Sequence, residues 1–499
     1  VLDQVRWRQL AAAQARRQLS DRKRSGCHNT SVIGPEAVGR ILGPRPSHSN
    51  PATGPSLGFP VGERLAQGSP AFRFESPAPR NIMAQPVVSD SLHDTVNFMR
   101  HLALLFGLLV ALNSSAFAAD APVAKRPPWT SSKLRGTPEP PEPYRVTSAF
   151  PKLHFKRPTS LEELPGSDRL VVTEIGGKIF SFAKDVNAKQ ADLLIDLSLG
   201  AGGSKPQRVG LFDLEFHPRF TENRQFFVCY SHPADGGQVR VSRLTLDDAT
   251  PPCARAESEQ VLIAWPAGGH SGGCLEFGPD GYLYISTGDG AGPNPPDGLT
   301  TGQNVADLLG SILRIDVDHR SGELPYAVPT DNPFVKLAGA RPEIWGYGLR
   351  NPWKFGIDRR SGQLFVADNG WETWEMVHRV ERGGNCGWPI MEGRAALRTE
   401  VKLGPTPIVP PVMDHPHTEA NSVIGGPVYR GSKLPKLAGA FVYGDYITGT
   451  IWAIQPDKDR SYSHSTLLDT DLRIVAFCEA SHGELYVLDH DFTGQIYEL

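Results

Sequence analysis

GGHSGGCLEFGPDGYLYISTGDG, residues 268–290, contains a unit that recurs along the chain. An apolar run ends in Phe-Gly, a Pro-Asp-Gly turn follows, and an aromatic-rich run leads into a Gly-Asp-Gly turn. Two short strands joined by a tight turn account for that pattern. The plan returns as FGIDRRSGQLFV at 355–366 and AFCEASHGELYV at 476–487. Hairpins recurring at intervals of tens of residues imply radial blades, so the expected fold is all-β, a six-bladed β-propeller, since roughly 350 residues at ~40–60 per blade suggest six.

The rest of the chain agrees. RLVVTEIGGKIFSFA, VGLFDLEFHP, RQFFVCYSH, QVRVSRLTL, SILRIDVD, AFVYGDYITGTIWAI and GELYVLDHDFTGQIYEL are short, rich in strand formers and bounded by turns. Only QNVADLLGSI, residues 303–312, suggests a helical turn. The 499 residues are 39% hydrophobic and 21% charged, with 51 Gly and 44 Pro, a globular composition that favours strands over long helices. Net charge is −3, divided into +5 over residues 1–98 and −8 over the remainder. A mildly acidic globular part excludes nucleic acid as the expected partner.

Residues 1–98 carry Pro, Ser, Arg and Gly without apolar periodicity and read as a disordered or mistranslated upstream segment. At Met99 the sequence becomes MRHLALLFGLLVALNSSAFAADA, with a charged start, an apolar stretch and an Ala116-Phe117-Ala118 cleavage site. Residues 99–118 are therefore expected to be a signal peptide, 119–145 a Pro-rich linker and 146–499 the propeller. The mature chain is expected to be periplasmic or secreted, with no membrane span. Five cysteines follow the leader, Cys229, Cys253, Cys274, Cys386 and Cys478. They allow at most two disulfides and have neither zinc nor haem spacing.

His270, between two glycine pairs, is the first candidate for chemistry. Backbone so free of side chains leaves room for a bulky ligand lying flat, and an imidazole near its ordinary pKa of ~6.5 is suited to general-base work there.

HSGGCLEFGPDGYLYISTGDG, LGSILRIDVD, WGYGLRNPWKFGIDRRSGQLFVADNG, GGNCGWPIMEG and SVIGGPVYRG, in this order, resemble the glucose/sorbosone dehydrogenase family. These are soluble PQQ-dependent sugar dehydrogenases on six-bladed propellers, with a subgroup similar to hedgehog-interacting protein. The resemblance covers about residues 146–499. It implies that His270 is the general base and Arg350 the electrostatic stabiliser, whose planar fork suits a growing negative charge. It also implies that Arg350, Asn351, Arg473 and Arg208 contact the cofactor. The carbonyls of Gly370 and Trp371 are implied ligands of a calcium ion beside PQQ, and Glu375 with the Cys386 carbonyl those of a second, structural calcium. The implied substrate is an aldose, oxidised to its lactone, with electrons passing to an external acceptor.

Several positions depart from the family pattern. Trp353 replaces a glutamine, Asp445 and Tyr446 stand where a lysine is usual, Gly269 replaces an aspartate, and Arg473 is alone where the enzymes carry two arginines. Lys354 and Arg430 are the available substitute cations. His415 and His417 in MDHPHTEANS read as a channel-rim loop able to contact sugar, with zinc binding as the alternative. Two classes of function follow: a PQQ-dependent aldose dehydrogenase, or a non-catalytic propeller that binds glycan or protein.

Overall fold

The computed structural model describes residues 143–199, 206–233, 237–457 and 461–499. The expected upstream segment, the leader and nearly all of the linker lie outside the described residues.

The described chain forms a six-bladed β-propeller of antiparallel four-stranded sheets. The innermost strands are Pro158–Glu163, Gly210–Phe216, Gly272–Phe277, Pro352–Ile357, Val423–Val428 and Ile474–Glu479. Each packs against the next, and the last returns to the first. The ring is closed by chain exchange: Thr147–Ser148 pairs with Ile496–Glu498, so the sixth blade takes one strand from the start of the domain and three from its end. All three hairpins read from sequence are the two inner strands of a blade, the third, fourth and sixth.

Apolar side chains fill the spaces between neighbouring blades. One cluster joins Val171 and Ile179 of the first blade to Leu211 and Val228 of the second, and another joins Val366 of the fourth to Ile312 of the third. Each of the six blade-to-blade spaces holds such a cluster among the described residues. Because a blade has a neighbour on each face, its second strand is buried throughout, as in Leu283–Thr287, Leu364–Asp368 and Leu485–Asp489. This geometry requires continuous apolar runs in place of strict alternation.

The helical turn expected over 303–312 is absent: those residues form turns and then the strand Ser311–Ile315. The one α-helical turn among the described residues is Phe220–Asn223. All five described cysteines are unpaired. Cys229 and Cys478 are buried strand residues, as expected. No helix among the described residues is long and apolar enough to cross a membrane.

Candidate active site

In an antiparallel blade, the segment entering the innermost strand and the loop after the second strand emerge at the same end. His270, Arg350 and Arg473 lie on entry segments, and Asp289 and Asn369 on the loops, so one end of the channel collects them.

The glycines around His270 have a different purpose from the one expected. A Cβ on Gly268 would stand 1.9 Å from the Gly290 carbonyl oxygen, and one on Gly269 would stand 2.2 Å from that of Ala291. The close neighbour is the Gly-Asp-Gly loop rather than a flat ligand. Gly269 N–H donates to Gly290 O at 3.0 Å, and Gly290 N–H to His270 O at 3.1 Å. Interlocking backbones bring Asp289 to the imidazole: His270 Nδ1 lies 2.7 Å from Asp289 Oδ1. Asp289 is fully buried, while the His270 side chain keeps 13% exposure. A carboxylate only accepts, so Nδ1 carries a proton toward Asp289, and in the neutral imidazole the lone pair is then on Nε2. Asp289 Oδ1 also accepts from Ala291 N–H at 2.9 Å, and Oδ2 accepts from the indole N–H of Trp388 at 2.9 Å.

Arg350 is attached to the same unit, since its carbonyl accepts from Asp289 N–H at 2.8 Å. Its guanidinium lies 5.6 Å from the centre of the Trp388 ring and donates through Nη1 to Asn369 O at 3.2 Å. Burial pulls the Arg350 pKa down, against the attraction of Asp289 and Asp368. Asp368 accepts from the backbone N–H groups of Arg350 and Asn351, the latter at 2.7 Å. Burial pushes the Asp368 carboxyl up to about 7 despite those bonds. Two buried polar atoms here have no partner, Arg350 Nε and Asn369 Oδ1. Both residues are 7% exposed. Leaving such groups unmet costs about 1–3 kcal/mol each, so this donor and acceptor are open to a partner, water or ligand. Asn351 serves partly as a staple, its Oδ1 accepting from Gly272 N–H at 3.3 Å.

Of the ligands expected for the second, structural calcium, Glu375 is engaged by protein groups and Cys386 lies in a packed interface. Glu375 Oε1 is 3.0 Å from His417 Nε2, and its Oε2 accepts from Val423 N–H at 3.1 Å. Cys386 is packed between the third and fourth blades. The Gly370–Trp374 turn is organised by Glu392, whose Oε1 accepts from the N–H groups of Trp371, Glu372, Thr373 and Trp374 at 2.8–3.2 Å. Trp371 also donates its indole N–H to Pro293 O at 2.7 Å. No group of three or more His, Cys, Asp or Glu suited to a metal occurs among the described residues. Gly370 and Trp371 do adjoin the unpartnered Asn369 Oδ1, an oxygen of the kind calcium takes.

The substitute cations are engaged elsewhere. Lys354 Nζ is buried 2.8 Å from Asp213 Oδ1 inside the channel, and Arg430 makes two bonds to Asp358, at 2.8 and 2.6 Å. Trp353 sits edge-on to Phe212 and donates its indole N–H to Val475 O. Arg473 donates to the carbonyls of Tyr446 and Ile447 and lies over Phe492, itself 59% exposed. Arg208 is exposed in a separate cleft of about 460 Å³ shared with Arg157 and His232. His415 is no rim residue: it is 1% exposed, bonded to Tyr443 Oη at 2.7 Å and stacked on Trp452.

Comparison with known proteins places this arrangement. The family profile described as Glucose / Sorbosone dehydrogenase matches residues 155–498. The chain belongs to that family. Among its relatives is the HIPL1 protein of Arabidopsis thaliana, 32% identical over 304 residues, covering 49% of this chain and 44% of the relative. The chain thus spans less than half the length of that relative. The aldose sugar dehydrogenase YliI of Escherichia coli is 26% identical over 354 residues, covering 68% of this chain and 88% of the other. The crystal structure of soluble aldose sugar dehydrogenase from Escherichia coli in its apo form shares the fold, with TM-score 0.57 and 23% identity over 71% of this chain and 98% of that one. The PQQ-bound aldose sugar dehydrogenase of Streptomyces coelicolor does so with TM-score 0.55 and 20% identity, covering 71% and 97%.

Asp289, Asn369 and Trp388 complete the site beyond the residues singled out from sequence. Asp289 and Trp388 lay in plain view, in the STGDG and GGNCGWP motifs. Only the folded ring shows that they meet.

Proposed function

We propose that this member of the family is an exported oxidoreductase that converts the anomeric hydroxyl of an aldose into a lactone, with PQQ as its cofactor. The observation that carries this reading is the His270–Asp289 pair beside a buried arginine with an unpartnered nitrogen. Arg350 Nε matches an oxygen acceptor such as a quinone carbonyl or carboxylate, and Asn369 Oδ1 matches a donor or cation. Arg350 and Asn369 would hold the cofactor, with calcium retained only at the Gly370–Trp371 turn. When bound, PQQ supplies the two-electron acceptor.

The chain's residues then have distinct roles. His270 Nε2 takes the proton of the anomeric hydroxyl as hydride leaves the same carbon and the lactone carbonyl forms. Asp289 holds the tautomer that makes this possible and faces the positive charge His270 gains. Arg350, kept from water, stabilises negative charge developing beside it. An external carrier removes the electrons.

Trp353 and the engagement of Lys354 favour the second reading, a non-catalytic propeller that binds glycan or protein. Titrating the purified protein with PQQ and calcium separates the two. The expected result is a saturable change in quinone absorbance and PQQ-dependent reduction of an artificial dye by one or more of a panel of aldoses. Protein that binds no PQQ would defeat the dehydrogenase reading and leave the binder.

A further inference from the structure

Trp388 is 2% exposed and anchored by backbone on both sides. Its N–H donates to Gly348 O at 2.9 Å, and its carbonyl accepts from the Gln303 side chain at 2.8 Å. Gly302 packs so closely that a Cβ there would lie 2.5 Å from the Trp388 carbonyl oxygen. The buried indole meets both halves of the site. Its indole N–H holds Asp289 Oδ2 at 2.9 Å, while the other carboxylate oxygen holds His270 at 2.7 Å. Its ring lies against the Arg350 guanidinium, 5.6 Å from ring centre to carbon.

We propose that Trp388 is a positioning residue that fixes the His270 base through Asp289 and sets it against Arg350. His270 and the Ala291 N–H both engage Asp289 Oδ1, so without a partner on Oδ2 the carboxylate can still pivot about that one oxygen. Securing the far oxygen from a rigid indole fixes the carboxylate plane, and with it the imidazole tautomer and direction. The same indole supports the cation, so base and electrostatic stabiliser share one mechanical reference. This inference rests on the reading of His270 as the base, but its structural content can be read without turnover.

The decisive variant is Trp388→Phe, which keeps a ring near Arg350 while removing the donor to Asp289. In the protein without cofactor, nitrogen-15 spectra of wild-type His270 should show one tautomer with the proton on Nδ1, and Trp388→Phe should show a mixture. Should that variant not fold, the coupling can be read in the opposite direction. The indole N–H resonance of Trp388 should move in His270→Gln, a substitution at a partly exposed residue, and again in Asp289→Asn. An unchanged His270 tautomer in Trp388→Phe, or an indole resonance indifferent to both other substitutions, would overturn the proposal whether or not the protein is a dehydrogenase.

Where the dye assay shows turnover, Trp388→Phe should lower kcat about tenfold or more with little change in KM. It should add little once His270 is already Gln, because two residues acting through one path do not add. Full additivity in that double variant would mark Trp388 as a merely structural residue and also overturn the proposal. Absence of turnover in the wild type would fail the dehydrogenase reading alone, leaving the tautomer to decide the role of Trp388.

Discussion

Arg350 Nε is enclosed without a partner while Nη1 of the same guanidinium is bonded, so part of the fork is structural and, on the proposed reading, part meets the cofactor. Lysine offers a point charge and cannot do both. Arg350→Lys should therefore weaken PQQ binding about tenfold or more, measured by absorbance titration, with the melting temperature little changed. His270→Gln should leave PQQ affinity near that of the wild type and reduce turnover by a factor on the order of 100 to 10,000, the usual contribution of a positioned base. Wild-type turnover in His270→Gln would remove His270 from that role. The sequence marked both residues, yet the reason inferred for the glycines around His270 was wrong. They admit the Gly288–Gly292 backbone, and that contact brings Asp289 to the imidazole. A glycine shows that something comes close without saying what, so the orienting carboxylate was legible as a residue and hidden as a partner.

The Gly370–Trp374 turn shows how one element can be organised by a side chain from another. Four consecutive N–H groups converge on one oxygen of Glu392, which sits on the small hairpin of Met391–Glu392 and Ala395–Ala396. Glu392→Ala removes the charged acceptor that ties the turn together and should cost about 1.5–3 kcal/mol in urea unfolding, whereas alanine at the exposed Glu372 should stay within about 0.5 kcal/mol. Equal effects would mean that the carboxylate does not organise the turn. The family resemblance points to this loop as a calcium element through the carbonyls of Gly370 and Trp371, and it could not reveal that a carboxylate more than a dozen residues later fills the loop's N–H groups. Strands were read unevenly for a related reason. Second strands such as Leu364–Asp368 are buried on both faces and stand out as apolar runs. An outer strand such as Tyr462–Leu468 is mostly exposed and carries Ser, His and Thr, so its sequence resembles a loop.

Across the whole molecule, the six innermost strands give the channel two chemically different ends. Arg157, Arg208, His270, Arg350 and Arg473 stand within two residues of the starts of their strands, whereas Glu162, Glu215, Glu276 and Glu479 stand at or near the ends. The Asp213–Lys354 pair lies between, and the acidic end encloses a cavity of about 360 Å³. This polarity is invisible along the sequence, where the residues are tens of positions apart, and follows only from closing the ring. It has a consequence for pH. Burial, reinforced by Asp213 and other carboxylates, pushes Glu162 and Glu276 up to about 8 from an ordinary 4.5, and Glu215 rises for the same reasons. The folded state therefore keeps protons that the unfolded chain has already released, and stability falls as pH rises from about 4.5 to about 8. Glutamine at 276 can still accept the Ile357 N–H now bonded to the carboxylate, and it has no proton to lose. Glu276→Gln should therefore raise the melting temperature by ~2–5 °C at pH 8.5, with the gain shrinking toward zero near pH 4.5. A variant melting no higher than the wild type at pH 8.5, or gaining as much in acid as in base, would show that the carboxyl at this end of the channel does not hold its proton through neutrality.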